Sequence, residues 1–253
     1  MRAVILAGGK GTRLLPYTTV LPKPLMPIGD QAIVEILIRQ LRYHGFQRIT
    51  VALGHLAHLV QALLGNGEKL GVKIDYSVED VPLGTSGPLA LIRGLDETFL
   101  VANGDVLTDI NLEKMLRFHR EQGAVATIAT HCRRVDINYG VIHRDGFRVV
   151  RYDEKPVINY EVSLGIYIFD PLVLEHVPPG RYLDFPDLVT KLLQSGATVC
   201  SYPYEGVWFD LGRVEDFQAV HSTIDALREQ IPFFDFSPQA TDLRSGQAGR
   251  RHE

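Results

Sequence analysis

The chain opens on a short unbroken apolar run, residues 3–7, that ends in glycines, the pattern of a strand buried on both faces of a parallel sheet. Over 32–43 the apolar positions change to a helical period, with Ile33, Ile36, Leu37 and Leu41 recurring on one face until Gly45 stops it. The alternation then repeats. Residues 48–53 predict a strand, 58–64 a helix stopped by Gly65, and 72–78 and 98–102 two further strands. A helix over 112–122 ends at Gly123, and 125–130 predicts the next strand. Strands and helices alternating in units this short predict an α/β fold, a parallel sheet with covering helices.

The second half has a different texture. Residues 139–142, 147–152 and 163–169 are short alternating runs separated by Gly and Asp-Gly turns, an antiparallel pattern. A helix over 187–194, a strand over 199–203 and a long helix over 214–229 follow. From Phe236 the residues turn to Ser, Gln, Gly, Arg and Asp without apolar period, so 236–253 reads as a flexible tail. No internal repeat or low-complexity linker divides the rest, and 1–235 reads as one packed unit.

Composition narrows the function classes. With 253 residues, 45% of them hydrophobic, the chain can bury a core without disulfide or metal staples. A net charge of −4 argues against a nucleic-acid partner, which needs a basic face, yet leaves room for one nucleotide held by backbone amides and a few cations. Cys132 and Cys200 stand far apart without a C-x-x-C pair. That excludes a disulfide framework and a zinc ribbon, and makes a reduced, cytoplasmic compartment the expectation. The first apolar run is too short for a signal peptide, and no stretch approaches the ~20 apolar residues of a membrane span.

The sharpest chemical feature is Leu6-Ala7-Gly8-Gly9-Lys10-Gly11-Thr12-Arg13, directly after the first strand. Its glycines let backbone amides approach phosphate oxygens, and Lys10 and Arg13 add positive charge. A dinucleotide fingerprint would need glycine where Leu14 stands, and the Walker spacing is absent. Alone, such a turn also admits a purely structural role, as the lesser reading. It is followed by Pro22-Lys23-Pro24, a lysine on a stiff segment, then by Gly84-Thr85-Ser86-Gly87 and by Asn103-Gly104-Asp105 after an apolar run. A carboxylate at the carboxyl end of a buried parallel strand lies where open α/β sheets bind ligands. Ser86 fails as a nucleophile elbow, because Pro88 stands where glycine is required. His55 and His58 share a helical face without an acidic partner, which suits a surface or capping role better than a metal site. Trp208 reads equally as a sugar-site wall or as core.

Taken in order, LAGGKGTRL, LPKPLMPIGD, EDVPLGTSG, VANGD, YGVI, DEKP, GIYIFD and WFDLGRVEDF make the chain resemble the sugar-nucleotidyltransferase family over 1–217. The PKP form is most similar to its short mannose-1-phosphate guanylyltransferase-like members. The resemblance implies a Rossmann-like, mostly parallel mixed sheet flanked by helices, with a smaller antiparallel sheet on the sugar side. It further implies a nucleotide-binding half over about 1–108 and a sugar-binding half over about 109–220. The implied reaction joins a nucleoside triphosphate to a sugar 1-phosphate by Mg²⁺-assisted in-line displacement, with guanylyl transfer first and uridylyl or thymidylyl transfer as the alternative.

Carried onto this sequence, the resemblance makes Arg13, Lys23 and Asp105 catalytic and assigns Asp105 and Asp210 to Mg²⁺. Leu6, Ala7, Gly8, Gly9, Gly11, Thr12, Arg13, Glu79, Pro82, Gly84 and Thr85 would bind the nucleotide. Gly140, Glu154, Lys155, Ser163 and Gly165 would bind the sugar phosphate. Ala32, Arg213 and Ser163-Leu164 depart from the family pattern, which commonly has Pro, Thr and an Asn-containing turn there. A silent regulatory subunit on the same fold is the competing class; the retention of Arg13, Lys23, Asp105, Lys155 and Asp210 favours the enzyme. A homo-oligomer is left open.

Overall fold

The computed structural model describes residues 1–212, 214–231 and 233, so Arg213 and the tail expected over 236–253 lie outside the described residues. In chain order the first strands are β1 (Arg2–Ala7), β2 (Pro27–Ile28), β3 (Gln31–Ala32), β4 (Arg48–Leu53), β5 (Lys73–Val78), β6 (Phe99–Asn103) and β7 (Val106–Thr108). The later ones are β8 (Ala126–Asp136), β9 (Val141–Asp145), β10 (Arg148–Asp153), β11 (Val157–Phe169), β12 (Val199–Pro203) and β13 (Trp208–Asp210). The helices are α1 (Ile33–Tyr43), α2 (Ala57–Leu64), α3 (Leu112–Glu121), α4 (Phe185–Gln194) and α5 (Val214–Gln230).

Seven strands form the central sheet in the order β12-β8-β11-β6-β1-β4-β5. β1 runs parallel to both neighbours, with Ile5 opposite Val51 on β4 and Ala102 on β6. β4 with β5 and β8 with β12 are also parallel, whereas β11 is antiparallel to β6 and β8. The fold is therefore the expected α/β type, with a mostly parallel mixed sheet. Ala3, Ile5 and Ala7 enter a core shared with α1, α2 and α3, while Val4 enters the opposite core with α4. Burial on both faces is why β1 reads as an unbroken apolar run. A third cluster sets Val220 and Leu227 of α5 against Leu14, Met26 and Ile28, which fastens the segment between β1 and α1 to the body. Among the described residues no helix is long and apolar enough to cross a membrane.

Two features depart from the sequence-based expectation. β8 and β11 run past the sheet as a two-stranded ribbon, paired from Ser163 opposite Thr130 out to Val157 opposite Asp136. Its Val135, Val157, Ile158 and Tyr160 are solvent-exposed, so an alternation that signals a half-buried strand is missing there. The hairpin of β9 and β10 turns at the expected Asp145-Gly146. The short antiparallel pair of β7 and β13 was not expected, because three residues are too few to display a period.

His119, buried on α3, bonds through Nδ1 to the Thr127 hydroxyl at 2.8 Å. Burial depresses its pKa, Arg120 adds to the fall, and Asp170 opposes it. The folded state thus binds fewer protons than the unfolded state just below the ordinary value of 6.5, and stability is lost as pH falls through that region. His119→Gln is expected to narrow the Tm difference between pH 7.5 and pH 5.5 measured by calorimetry; an unchanged difference assigns the acid sensitivity to other groups.

Candidate active site

The site is built where β1 ends, at the carboxyl edge of the parallel strands, the usual ligand-binding edge of such sheets. Gly104 donates its N–H to the Leu6 carbonyl at 2.8 Å, which brings the turn after β6 against the end of β1. Gly11 has φ +64°, and the Thr18 hydroxyl donates to its carbonyl at 2.8 Å. A Cβ at Gly11 would come within 2.8 Å of Thr18 Cγ2 and 3.2 Å of Lys23 Cβ. The glycine loop is thereby folded onto the Pro-Lys-Pro segment, whose 3-10 turn holds Lys23 stiffly.

These elements enclose a cleft of about 710 Å³. All eleven residues expected on the nucleotide side line it, from Leu6 to Arg13 without Lys10, then Glu79, Pro82, Gly84 and Thr85; Lys23 and Asp105 line it as well. Glu79 accepts the Leu83 N–H at 3.0 Å, and its Oε1 sits 2.8 Å from where a Cβ at either Gly8 or Gly54 would stand. Side chains at those glycines would close the floor of the cleft.

At one end the charges converge. Lys23 is ion-paired with Asp105, their side chains only 11% and 17% exposed, and Arg13 reaches Asp210 at 3.6 Å while remaining 64% exposed. A Cβ at Gly212 would lie 2.9 Å from both Arg13 Nη2 and Asp210 Oδ1, and would run into Lys23 Nζ. Two cations and a carboxylate therefore close around one glycine, with Asp105 on the far side of Lys23. Asp210 Oδ1 accepts the Gly212 N–H at 3.0 Å, and Leu211 N–H donates to the Asp105 carbonyl at 3.0 Å. Burial pulls the Lys23 ammonium down to about 8, with Asp210 resisting and the Arg13 charge adding to the fall. Among the described residues no cluster of three or more His, Cys, Asp or Glu side chains could hold a metal unaided. Two carboxylates suit a hard divalent ion that completes its shell with phosphate oxygens.

The model of the nucleotidyl transferase family matches residues 2–226. The chain belongs to that family. The resemblance to sugar nucleotidyltransferases drawn from the motifs is borne out, and with it the reading as an enzyme. A UTP–glucose-1-phosphate uridylyltransferase from Synechocystis sp. is 36% identical, over 94% of this chain and 68% of that protein. The mannose-1-phosphate guanylyltransferase catalytic subunit beta of Dictyostelium discoideum is 34% identical, over 86% of this chain and 62% of that protein. The chain thus spans about two thirds of the length of these relatives. A Bacillus anthracis chain, provisionally named a glucose-1-phosphate thymidylyltransferase and solved with a sucrose, shares the fold with a TM-score of 0.72. The two are 24% identical, over 95% of this chain and 99% of that one.

The sugar-side residues expected of a nucleotidyl transferase do not line this cleft. Glu154 and Lys155 lie between β10 and β11, where Glu154 accepts the Tyr152 hydroxyl at 2.9 Å and Lys155 has φ +45° ahead of Pro156. Gly140 lies against the hydroxyl end of Tyr152, into which a Cβ would run. Ser163 donates its hydroxyl to Tyr167 at 3.0 Å and accepts the Gly165 N–H at 3.2 Å, so the bulge of β11 already uses it. Gly165, at φ +77°, reaches the cleft indirectly: a Cβ there would stand 2.5 Å from Nδ2 of Asn103, a cleft residue. Asp210 does not line the cleft itself and joins the site through its contacts with Arg13 and Gly212. Trp208 does not line the cleft; half-buried, it packs against the main core and donates to the Leu164 carbonyl at 3.2 Å.

Sequence reasoning missed Gly54, Tyr182, Asp184 and Gly212 as cleft residues. Asp184 Oδ1 accepts from the Thr85 backbone at 2.9 Å and from its hydroxyl at 3.2 Å, a clasp across 99 positions that the sequence gives no means of pairing. Gly212 was legible only as a member of the W-x-D-x-G pattern. His55 lines the cleft through the turn before α2, and His58 does not.

Proposed function

We propose that this nucleotidyl transferase moves a nucleotidyl group from a nucleoside triphosphate to a sugar 1-phosphate, releasing pyrophosphate and leaving a nucleotide sugar. The observation that carries this reading is the convergence of Arg13, Lys23 and Asp210 on Gly212, with Asp105 on Lys23, at the end of a glycine-lined cleft. Guanylyl transfer to a hexose 1-phosphate is the first reading, supported by the name of the Dictyostelium relative. Uridylyl or thymidylyl transfer is the second, supported by the name of the Synechocystis relative.

A sugar-phosphate oxygen attacks the α-phosphorus, a bond to the bridging oxygen breaks in line, and its electron pair leaves with pyrophosphate. Such a transition state asks for alignment and charge neutralisation rather than a covalent catalyst. Backbone amides from Gly8 to Thr12 hold the phosphate oxygens, and the base lies over the Leu6 to Gly8 backbone beside Glu79, Pro82 and Gly84. Arg13, exposed and only loosely tied to Asp210, is free to turn onto the α-phosphate and the departing pyrophosphate. Lys23 approaches the α-phosphate from the other side. Asp105 and Asp210 would hold Mg²⁺, which supplies charge neutralisation at the phosphates when bound. The sugar phosphate would be met by Gly140, Glu154, Lys155 and Gly165, with Ser163 holding the bulge of β11 that carries Gly165, so residues 1–108 and 109–220 act as nucleotide and sugar halves. Free Cys132 and Cys200 support a reduced cytoplasmic setting.

The test is pyrophosphate release with each nucleoside triphosphate against a panel of sugar 1-phosphates. The greatest kcat/KM is expected with GTP; a greater value with UTP or dTTP moves the reading to the second form. Absence of pyrophosphate with every pair overturns it in favour of a silent binding subunit. Within the same panel, Ser163→Asn is expected to leave the ranking of sugars unchanged and to lower Tm, because the hydroxyl serves Tyr167 and Gly165. Each neutral hydrogen bond lost costs about 0.5–1.5 kcal/mol. A changed ranking would put Ser163 against the sugar after all.

A further inference from the structure

We propose that Arg133 and Asp216 are positioning residues that fix Asp210 and tie it to the β8–β11 ribbon, so that seating of the ribbon on a sugar phosphate sets the placement of Asp210. The proposal rests on the role given to Asp210 in the proposed function. It starts from one oxygen. Asp216 Oδ2 accepts the backbone N–H of Asp210 at 3.1 Å and Nη2 of Arg133 at 3.3 Å. The Asp216 side chain is 17% exposed, so its charge depends on Arg133 for compensation. Arg133 comes from β8 and is paired across the ribbon with Tyr160 of β11.

The same guanidinium lies 4.6 Å from the centroid of the Trp208 ring, two residues ahead of Asp210 in β13. Trp208 in turn donates its indole N–H to the Leu164 carbonyl of β11 at 3.2 Å. β13 is therefore held at both ends, by Trp208 on Leu164 in the bulge of β11 at its start and through Asp216 to Arg133 of the ribbon at its finish. Neither Arg133 nor Asp216 lines the cleft. Arginine suits the post because its planar group stacks on the indole and donates to the carboxylate at once, which a lysine ammonium does not.

A rigid linkage of this kind makes Asp210 sensitive to ribbon position. Displacing a catalytic group by 1 Å can cost about a hundredfold in rate. Glu154 and Lys155 connect β10 to β11, which places the proposed sugar-phosphate contacts and the Arg133 anchor on connected segments.

Trp208 is the sole tryptophan, so its fluorescence reports the Arg133 stack directly. The experiment compares wild type with Arg133→Met, Arg133→Lys, Asp216→Asn and the Arg133→Met/Asp216→Asn double variant. In wild type, titration with mannose 1-phosphate or glucose 1-phosphate is expected to change Trp208 emission; in Arg133→Met that change is lost. Hydrogen exchange of the Asp210 amide is expected to rise about fivefold or more in Arg133→Met. Arg133→Met and Asp216→Asn should each lower kcat by about tenfold to a hundredfold, with the Kd for the triphosphate within about twofold of wild type. The double variant should be no slower than the slower single one, since both act through one linkage. Arg133→Lys, the mildest change to the fold, should recover part of the rate.

Unchanged Asp210 exchange in Arg133→Met overturns the proposal. So do additive losses in the double variant, or a rise in Kd that matches the fall in kcat. A wild-type protein without turnover would overturn the proposed reaction instead, while exchange and fluorescence still decide whether Arg133 holds Asp210.

Discussion

Asp105→Asn is expected to lower turnover by about three powers of ten while the fold persists. The substitution keeps the size of the side chain and its hydrogen-bonding reach but removes one of two carboxylates available to a divalent ion. Charge stabilisation by such an ion is worth several kcal/mol in the transition state, and each 1.36 kcal/mol is about a factor of ten in rate. The fold survives because Lys23, whose pKa burial has already brought down to about 8, can shed its proton once its partner is neutral. Steady-state kinetics at saturating substrates, with Tm measured alongside, provide the check. Near-normal kcat in Asp105→Asn would remove Asp105 from the chemistry, and a collapsed Tm would show that the Lys23 pair serves mainly to hold the fold.

Arg13→Ala is expected to lower kcat by about a hundredfold or more and to raise KM for the triphosphate far less. Loss of one preorganised donor to the developing charge commonly costs 10²–10³ in kcat. The geometry favours this split, because Arg13 is largely exposed and its ion pair with Asp210 is long, at 3.6 Å. A group so weakly engaged in the free chain can form its contact where charge accumulates, and interactions made only in the transition state appear in kcat. A rise in KM alone would make Arg13 a binding clamp and pass the catalytic role to Lys23.

The legible and illegible parts of the site divide along a physical line. Every nucleotide-side residue named from sequence lines the cleft, because those residues lie in short segments at or directly after the ends of β1 and β5. A glycine loop after a buried strand has little freedom in where it goes. The sugar-side residues lie instead just before β9, between β10 and β11, and on β11, with the ribbon projecting beyond the core. No burial pattern there fixes which way a side chain faces. Ser163 illustrates the limit: its chemistry was readable, but its commitment to Tyr167 and Gly165 follows from a bulge in β11 that interrupts the pairing between Ser163 and Tyr167.

By itself, the sequence determined the fold class, the helix-covered parallel half and the phosphate-facing loop. Those follow from local periodicity and from glycines whose backbone demands are local, as at Gly11 with its φ of +64°. Only the tertiary structure decided which charges meet. Lys23 and Asp105 are 82 positions apart, and Arg13 finds Asp210 from the far end of the chain. The insertion of β11 antiparallel between β6 and β8, and the linkage from Arg133 through Asp216 to Asp210, are likewise invisible along the chain. Strand order and side-chain convergence arise from packing two faces of one sheet at once, a condition on the whole molecule that no window of sequence contains.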